Sequence, residues 1–236
     1  MKKQILFILS IVFIGISPSC IRHDIEGNMQ FISENRNISN FDEIKSEGNF
    51  NISFIQSNQT DLIIEGESNI LPYVQTIVEG NTLVIKNRDH RNFDNNLPIN
   101  IFVYAPSCSS LVMTGSGNIS SDSISANSMN LKLSGSGNIN CRLFTDYLKA
   151  NISGSGDIDI EGENSESDYQ ISGSGTIHSY NLMQNSCYAT ISGSGCIFVT
   201  AIDILDVKIS GSGRVYYKGN PVINSHITGS IINKNN

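Results

Sequence analysis

A three-residue unit, Gly-Ser-Gly, recurs at nearly constant spacing in the second half of this chain of 236 residues. Its first glycine stands at Gly115, Gly135, Gly154, Gly173, Gly193 and Gly211, and a degenerate copy stands at Gly229. The successive steps are 20, 19, 19, 20, 18 and 18 residues. A period of this size is typical of solenoids, in which each repeat buries its apolar face only by stacking on the next repeat. The spacing therefore predicts a solenoid with coils of about 19 residues.

Apolar and polar side chains alternate on both sides of each unit. Leu131-Lys132-Leu133 precedes one copy, and Ala189-Thr190-Ile191 precedes another. A β-branched residue follows every copy: Ile119, Ile139, Ile158, Ile177, Ile197, Val215 and Ile231. This alternation predicts strands that turn one face to a core and the other to water. Leucine-rich repeats have a similar length, but they need a leucine and asparagine framework that this sequence lacks. The predicted fold class is all-β, a single-stranded parallel β-helix.

The glycines are predicted to bend the chain. A straight strand from Leu131 to Ile139 would span roughly 30 Å, whereas a whole coil has a contour of only about 63 Å at ~3.3 Å per residue. Glycine accepts a positive φ, or the close approach of another backbone, without a Cβ penalty. Each unit is therefore predicted to form a corner or bulge, with its serine stacked on those of adjacent coils. The corner glycines are Gly115, Gly117, Gly135, Gly137, Gly154, Gly156, Gly173, Gly175, Gly193, Gly195, Gly211 and Gly213. The predicted serine ladder is Ser116, Ser136, Ser155, Ser174, Ser194 and Ser212.

Residues 38–108 lack the unit but keep a β signature. The short apolar runs FNISFIQ, DLIIEG, TLVIKN and INIFVYAP are separated by Gly, Asn, Asp and Pro, which predicts irregular first coils. The stretch SNILPYVQTIVEG is predicted to hold a helical turn that caps this end. The β-helix domain is placed at residues 38–236, and the polar residues 20–37 are predicted to be a tether.

The first residues resemble an export signal. Lys2 and Lys3 precede an apolar run, Ile5 to Ile16, which is too short for the ~20 residues of a membrane-spanning helix. Small residues then lead to Cys20, as in a bacterial lipoprotein. We predict a signal peptide at residues 1–19 and lipidation of Cys20. The lipid would attach the chain to a membrane, for which we predict the outer membrane. Ordinary cleavage or an uncleaved anchor are the alternatives.

Charge and cysteine content limit the partners. The formal net charge is −7 and no cluster of Lys and Arg follows the leader, so nucleic acid is excluded as a partner. Cys108, Cys141, Cys187 and Cys196 match no zinc-binding spacing. Export would permit disulfides, but buried free thiols are the preferred interpretation.

The Gly-Ser-Gly unit is not predicted to be a catalytic or phosphate-binding motif. A phosphate-binding loop needs a following helix, and none is predicted here. A nucleophile elbow needs the pattern G-x-S-x-G, whereas this unit has no residue between its serine and its glycines. The segment GSGDIDI at residues 154–160 resembles part of a calcium-binding repeat, but the place of Asp157 is Asn, Thr, Cys or Arg in other copies. One weak cation site is conceivable there, a calcium ladder is not, and we predict neither a metal nor a cofactor.

One acidic cluster raises the possibility of an enzyme. Its members are Asp157, Asp159, Glu161, Glu163, Glu166 and Asp168. A polysaccharide-degrading β-helix would use such carboxylates. However, EGENSESD is predicted to be a solvated turn, and no neighbouring coil is expected to offer matching carboxylates or a basic partner. The four histidines, His23, His90, His178 and His226, occur in unrelated contexts, so surface positions are predicted for them.

The segments FDEIKSEGNFNISFIQ and YAPSCSSLVMTGSGNI, with the serial LSGSGNI, ISGSGDI and ISGSGTI, resemble the auto-transporter adhesin family with a head GIN domain. The resemblance covers roughly residues 38–230 and implies a right-handed β-helix in a cell-envelope protein of Bacteroidetes. We expect a non-enzymatic scaffold for binding or adhesion, with a glycan or protein ligand and an undetermined oligomeric state. A carbohydrate-active lyase or hydrolase, or a purely structural envelope protein, are the alternatives.

Overall fold

The computed structural model describes residues 24–235, and most of them are in β-strands. In chain order the strands are β1 (Ile25–Glu26), β2 (Phe31–Asn35), β3 (Glu43–Glu47), β4 (Asn51–Gln56), β5 (Asp61–Glu67), β6 (Val74–Glu79), β7 (Thr82–Asn87), β8 (Phe93–Asp94), β9 (Asn100–Ala105), β10 (Ser110–Gly115), β11 (Asn118–Gly135), β12 (Asn138–Gly154), β13 (Asp157–Gly173), β14 (Thr176–Gly193), β15 (Cys196–Gly211), β16 (Arg214–Lys218), β17 (Val222–Ile227) and β18 (Ser230–Asn233). Two short 3-10 turns, Leu71–Tyr73 and Arg88–His90, interrupt them. The described range contains no helix long and apolar enough to cross a membrane.

Strands β11 to β15 form the regular part of a β-solenoid of about seven turns. Each runs for 16 to 18 residues and pairs in parallel with the next strand along most of its length. The register places Gly135 beside Gly115, and Gly154 beside Gly135. Units that are about 19 residues apart in sequence therefore lie one above the other. The predicted all-β solenoid is confirmed.

Inward-facing side chains of successive coils form columns in the core. Ile171 lies between Ile152 and Ile191 in one column, and these three side chains are at most 2 % exposed. Coils are stacked at the ~4.8 Å spacing of paired strands, so the coil before and the coil after cover each side chain. The β-branched residues after each unit, from Ile119 to Val215, form a second column that is fully buried. Burial on both sides explains why both columns are apolar.

The first coils contain antiparallel pairs that the sequence did not predict. The four predicted runs form β4, β5, β7 and β9, and β3 and β4 extend the parallel stack through β10 and β11. However, β5 pairs antiparallel with both β2 and β9, and β6 pairs antiparallel with β7. The predicted helical turn is present at Leu71–Tyr73, where Pro72 fits the start of the short helix. Together β6 and β7 end the sheet on this side.

The segment predicted as a tether, residues 20–37, belongs in part to the folded structure. Strand β2 pairs with β5, and Ile32 packs against the core. The physical reason is the alternation of Phe31-Ile32-Ser33, which lets a short polar segment bury one side chain at a sheet edge. The predicted boundary at residue 38 is therefore too late. Cys20 and the predicted signal peptide lie outside the described residues.

Glu67 holds this N-terminal segment in place. Its fully buried carboxylate accepts hydrogen bonds from the backbone N–H groups of Met29 (2.7 Å) and Asn96 (2.9 Å). Burial by itself would raise the pKa of Glu67, but hydrogen bonds from Met29, Leu97 and Asn96 outweigh burial and lower the pKa. The charged carboxylate therefore joins the segment before β2 to the loop before β9.

The four cysteines in the described range are free thiols. Cys108, Cys141 and Cys187 are buried, and Cys196 is half-buried. Burial raises the pKa of the Cys108 thiol to about 12 and raises the pKa values of Cys141 and Cys187 as well. These thiols stay protonated, which makes them core side chains rather than nucleophiles.

Candidate functional site

The Gly-Ser-Gly units lie on one edge of the solenoid and form its corner. The first glycine of each unit has a φ between +123° and +143°, and the second is packed against the backbone of the coil before it. The six serines lie above one another and are exposed. The backbone N–H groups of the five serines from Ser136 to Ser212 donate to glycine carbonyls of the previous coil, as Ser174 does to Gly154 at 2.9 Å. This edge is therefore a corner in which backbones of adjacent coils are in contact, and the serine hydroxyl groups on it face water.

A different face of the solenoid carries chemically varied side chains. In the coils from β4 to β16, the residue directly after the buried β-branched column faces outward, and the register aligns these positions. They are Ser53, Ser120, Asn140, Asp159, His178, Phe198 and Tyr216. We call this row the outer column. It changes from small polar side chains near the N-terminal end to rings near the C-terminal end.

A groove lies beside the outer column, where irregular pairing in β11, β13 and β14 widens the face. Its volume is about 780 Å³. We call it the lateral groove, and its lining residues are Ser120, Ser121, Asp122, Asn140, Cys141, Arg142, Asp159, Ile160, Glu161, His178, Tyr180, Asn181 and Lys218. It is an open depression lined by β11 to β14 and, through Lys218, by β16, and its volume lies within the range of ligand-binding clefts.

The rings of the outer column form a continuous stack. His178 lies on Phe198 with ring centroids 4.8 Å apart and an angle of 10° between planes. Phe198 lies on Tyr216 in the same way, at 4.8 Å and 7°. Tyr180 meets Phe198 edge to face, and the Lys218 ammonium lies 4.6 Å from the centre of the Tyr180 ring. His178, Tyr180 and Lys218 line the lateral groove, and the Phe198 and Tyr216 rings extend the stack beyond it as a wall at that end.

The structure separates the predicted acidic cluster around one coil. Asp159 and Glu161 line the lateral groove, whereas Asp168 pairs with Lys149 at 3.8 Å on another face. The expectation that no neighbouring coil offers a basic partner is wrong, because Arg142 contacts Glu161 at 2.6 Å. Arg142 and Glu161 are direct register partners, which only the pairing of coils reveals. The groove thus holds an ion pair beside a carboxylate and amides.

The segment EGENSESD is not a turn. It continues strand β13, and the side chains of Asn164 and Ser167 point into the core. The Asn164 amide donates to the Ser167 hydroxyl at 2.9 Å, and Ser167 also bonds to Tyr169 and Gln184. Burial of the whole network raises the pKa of Tyr169. A polar sequence can continue a buried strand here because its inward side chains hydrogen-bond to one another, although Asn164 Oδ1 and Gln184 Nε2 have no partner among the described residues.

Two groove residues have chemistry that bears on function. Burial raises the pKa of the Cys141 thiol, so Cys141 supplies no thiolate. Partial burial, with a contribution from Tyr216, raises the pKa of Tyr180, which stays a neutral hydrogen-bond donor. Within residues 24–235 no three His, Cys, Asp or Glu side chains are grouped as metal ligands. Of the predicted surface histidines, His178 lines the groove and His226 is exposed on β17.

Sequence reasoning missed the outer column, although its signal was present. The places after Ile158, Ile177 and Ile197 hold Asp159, His178 and Phe198. Aligning this place over the coils from Ser120 to Tyr216 shows the change from polar to aromatic side chains. Arg142 and Lys218 each stand seven residues after the first glycine of their unit, and Asn181 stands eight after its own, but their side chains share no chemistry that marks this place as a site.

The fold and the groove define a class of protein: a β-solenoid with a groove along one lateral face. The chain belongs to the family described as "Putative auto-transporter adhesin, head GIN domain", whose model matches residues 40–221. The predicted family is therefore confirmed. A comparison with curated proteins found no match.

Solved structures share this architecture. A "putative adhesin" from Bacteroides fragilis is 26 % identical with a TM-score of 0.84, covering 89 % of this chain and 100 % of its own. A "putative lipid binding protein" from Parabacteroides distasonis is 26 % identical with a TM-score of 0.77, covering 90 % and 100 %. A "putative adhesin" from Parabacteroides merdae is 21 % identical with a TM-score of 0.73, covering 89 % and 99 %, a likeness of fold.

Proposed function

We propose that this protein is a non-enzymatic binding scaffold of the cell envelope, which presents the lateral groove to a ligand as an adhesin does. The observation that carries the proposal is the wall of stacked rings beside an open polar groove. Rings that are held in place before binding cost little entropy to use, which is a property of recognition surfaces. Membership of an adhesin family supports the same function.

The groove favours binding over catalysis. A glycosidase needs one carboxyl that can stay protonated beside a second, charged carboxylate. Here Glu161 is engaged by Arg142 through two nitrogens, Nε at 2.7 Å and Nη2 at 2.6 Å. Glu161 is therefore committed to an ion pair within the protein, which opposes a role in contact with a glycosidic oxygen. Asp159, two residues before Glu161 on the same strand, is an exposed carboxylate.

The side chains beside the groove also favour a ligand-binding function over a purely structural one. A spacer in the envelope needs only a polar exterior, whereas the His178, Phe198 and Tyr216 rings are apolar surfaces kept next to water. Such groups are characteristic of interaction sites.

Attachment to the membrane through Cys20 completes the proposal. In the described structure the chain enters at β1, which pairs with β8 among the first coils. A lipid on Cys20 would tether that end, with only a few residues between the anchor and the solenoid. Because the groove lies on the side of the solenoid, it would then face along the membrane surface. We propose that this membrane is the outer membrane.

The test uses the full chain, purified in detergent from envelope membranes. We expect incorporation of a radiolabelled fatty acid into the wild-type chain and none into Cys20→Ser. We expect saturable binding to a panel of glycans and envelope or matrix proteins, with every bound ligand recovered intact by mass spectrometry. Release of shortened saccharides would contradict the scaffold, and absence of any saturable ligand would favour a structural role.

A further inference from the structure

We propose that the lateral groove binds a neutral carbohydrate chain, with one sugar ring seated on the face of His178 that Phe198 does not cover. This inference rests on the proposed function, because it names the ligand class of that same groove. It is argued from the ring stack, the polar groups beside it and the pairing of the backbone beneath it.

His178 is the end ring of the aromatic stack. One face of the imidazole lies against Phe198 at 4.8 Å. The register partner on the other side is Asp159, so the other face adjoins a carboxylate and is not covered by a ring. His178 is exposed and lines the groove. A flat ring with no second ring on this face can take the apolar C–H face of a pyranose, and the adjoining Asp159 carboxylate can accept from a sugar hydroxyl.

Hydrogen-bonding groups surround this ring on the N-terminal side. Asn140 and Asp159 occupy the next two places of the outer column, and both side chains are exposed. Asn140 both donates and accepts, Asp159 accepts, and Arg142 has donors beyond those that contact Glu161. Sugar hydroxyl groups donate and accept at once, so a mixed set of this kind suits them.

The charges of the groove nearly balance. Arg142 and Lys218 are basic, and Asp122, Asp159 and Glu161 are acidic. Arg142 is already paired with Glu161, and Lys218 lies over the Tyr180 ring. A polyanionic glycan would find no free cluster of cations here, so a neutral glycan fits better.

The size of the groove suits a chain of several sugars. It extends from the coil of Ser120 to the coil of His178, which is three steps of ~4.8 Å or about 14 Å. Its volume of about 780 Å³ exceeds what one pyranose would fill. The long axis of the ligand would follow the solenoid axis, across successive coils.

A peptide that pairs through its backbone fits this face less well. Such a peptide adds to a free strand edge. At the groove the backbone of β12 pairs with β11 on one side and with β13 on the other. The face therefore offers side chains, with its main-chain groups already bonded within the solenoid, which matches glycan recognition.

The experiment compares four forms of the purified full chain by calorimetry: wild type, His178→Ala, His178→Phe and the control Tyr188→Ala. Tyr188 is 41 % exposed and lies on another face. The probes are neutral glucan, mannan, galactan and N-acetylglucosamine oligosaccharides, with uronate oligosaccharides for comparison. Circular dichroism checks that each variant keeps the β spectrum. Asn140→Ala, which changes an exposed side chain, is a second test of the same groove.

We expect at least one neutral oligosaccharide to bind. His178→Ala should weaken binding about tenfold or more, Asn140→Ala should weaken it severalfold, and His178→Phe should stay within about threefold of wild type. Tyr188→Ala should bind as wild type does. Unchanged binding in His178→Ala and Asn140→Ala, or preference for uronates, would overturn the inference. Binding of a protein but of no glycan would overturn it and leave the scaffold function standing, whereas cleavage of the oligosaccharide would contradict the scaffold function itself.

Discussion

The two ends of the solenoid are closed in different ways. At the N-terminal end, β6 and β7 end the sheet as an antiparallel pair, and Phe50, Ile70 and Leu71 are at most 1 % exposed. At the C-terminal end, all six residues of β17 are exposed. Strand β17 has β15 as its neighbour on one side, and no described strand pairs with its other edge.

The difference shows that position in the stack decides burial. Ile171 and Ile227 belong to the same core column, yet Ile171 is 2 % exposed and Ile227 is 38 % exposed. The open end also carries Arg214, Lys218 and Lys234, and no acidic residue follows Asp206. Like charges on two such ends oppose their pairing, which is a known protection of sheet edges.

The largest contrast is expected in the shared core column. Ile171→Ala should lower the free energy of unfolding by about 2–5 kcal/mol, because it leaves a cavity that stacked coils cannot close. Ile227→Ala should cost less than about 1 kcal/mol, since its side chain is already partly in water. Urea denaturation followed by circular dichroism measures both. Equal losses would show that the C-terminal end is covered in solution.

The second contrast separates backbone strain from contact between coils. Gly173 has a φ of +134°, and a Cβ there would overlap the backbone carbonyl of Gly154. Gly80, on the turn between β6 and β7, has a φ of +64° with nothing within 4 Å of a Cβ. Gly173→Ala should cost about 2–4 kcal/mol, and Gly80→Ala about 1 kcal/mol from strain alone. Thermal unfolding of the two variants measures the difference. Equal melting temperatures would contradict tight stacking of backbones at the corner.

The third contrast concerns the closed end and pH. Glu67→Gln should destabilise the protein by about 1–3 kcal/mol at pH 7, because charge-assisted hydrogen bonds become neutral ones. The pKa of Glu67 is lowered in the folded state, so its stabilisation is present above the unfolded pKa of ~4.3 and is lost as pH falls through the folded pKa. Wild type and Glu67→Gln should therefore converge in stability on acidification. A gap that stays constant from pH 7 to pH 3 would show that Glu67 does not carry this effect.

The smallest effect is expected at the open end. Val222 is 68 % exposed on β17, so Val222→Ser should change the free energy of unfolding by less than about 0.5 kcal/mol. The matched change in the interior of the stack is Val207→Ser, where the side chain is fully buried. That variant should lose more than 1 kcal/mol. Similar losses for the two, measured by urea titration, would mean that a further partner covers β17.

Sequence periodicity predicted the regular coils because strands alternate side chains with a period of two and the coil repeats its corner. The column from Ile119 to Val215 and the positions of the Gly-Ser-Gly units followed from that alone. The antiparallel pairs of β2, β5 and β9 did not, because the alternation of a strand is the same whichever direction its partner runs. Strand β2 escaped prediction for a related reason: it buries little and is held by pairing and by Glu67.

The candidate site, like the fold, was predictable from the sequence only in part. The amino-acid order by itself determined a solenoid of about 19-residue coils, an acidic chain, a family, and which residues in each coil face outward. Tertiary structure decided that Arg142 meets Glu161 and that His178, Phe198 and Tyr216 stack into one wall. The physical reason is register: residues about one coil apart become neighbours only when strands pair, and small shifts in that pairing choose which side chains share a groove.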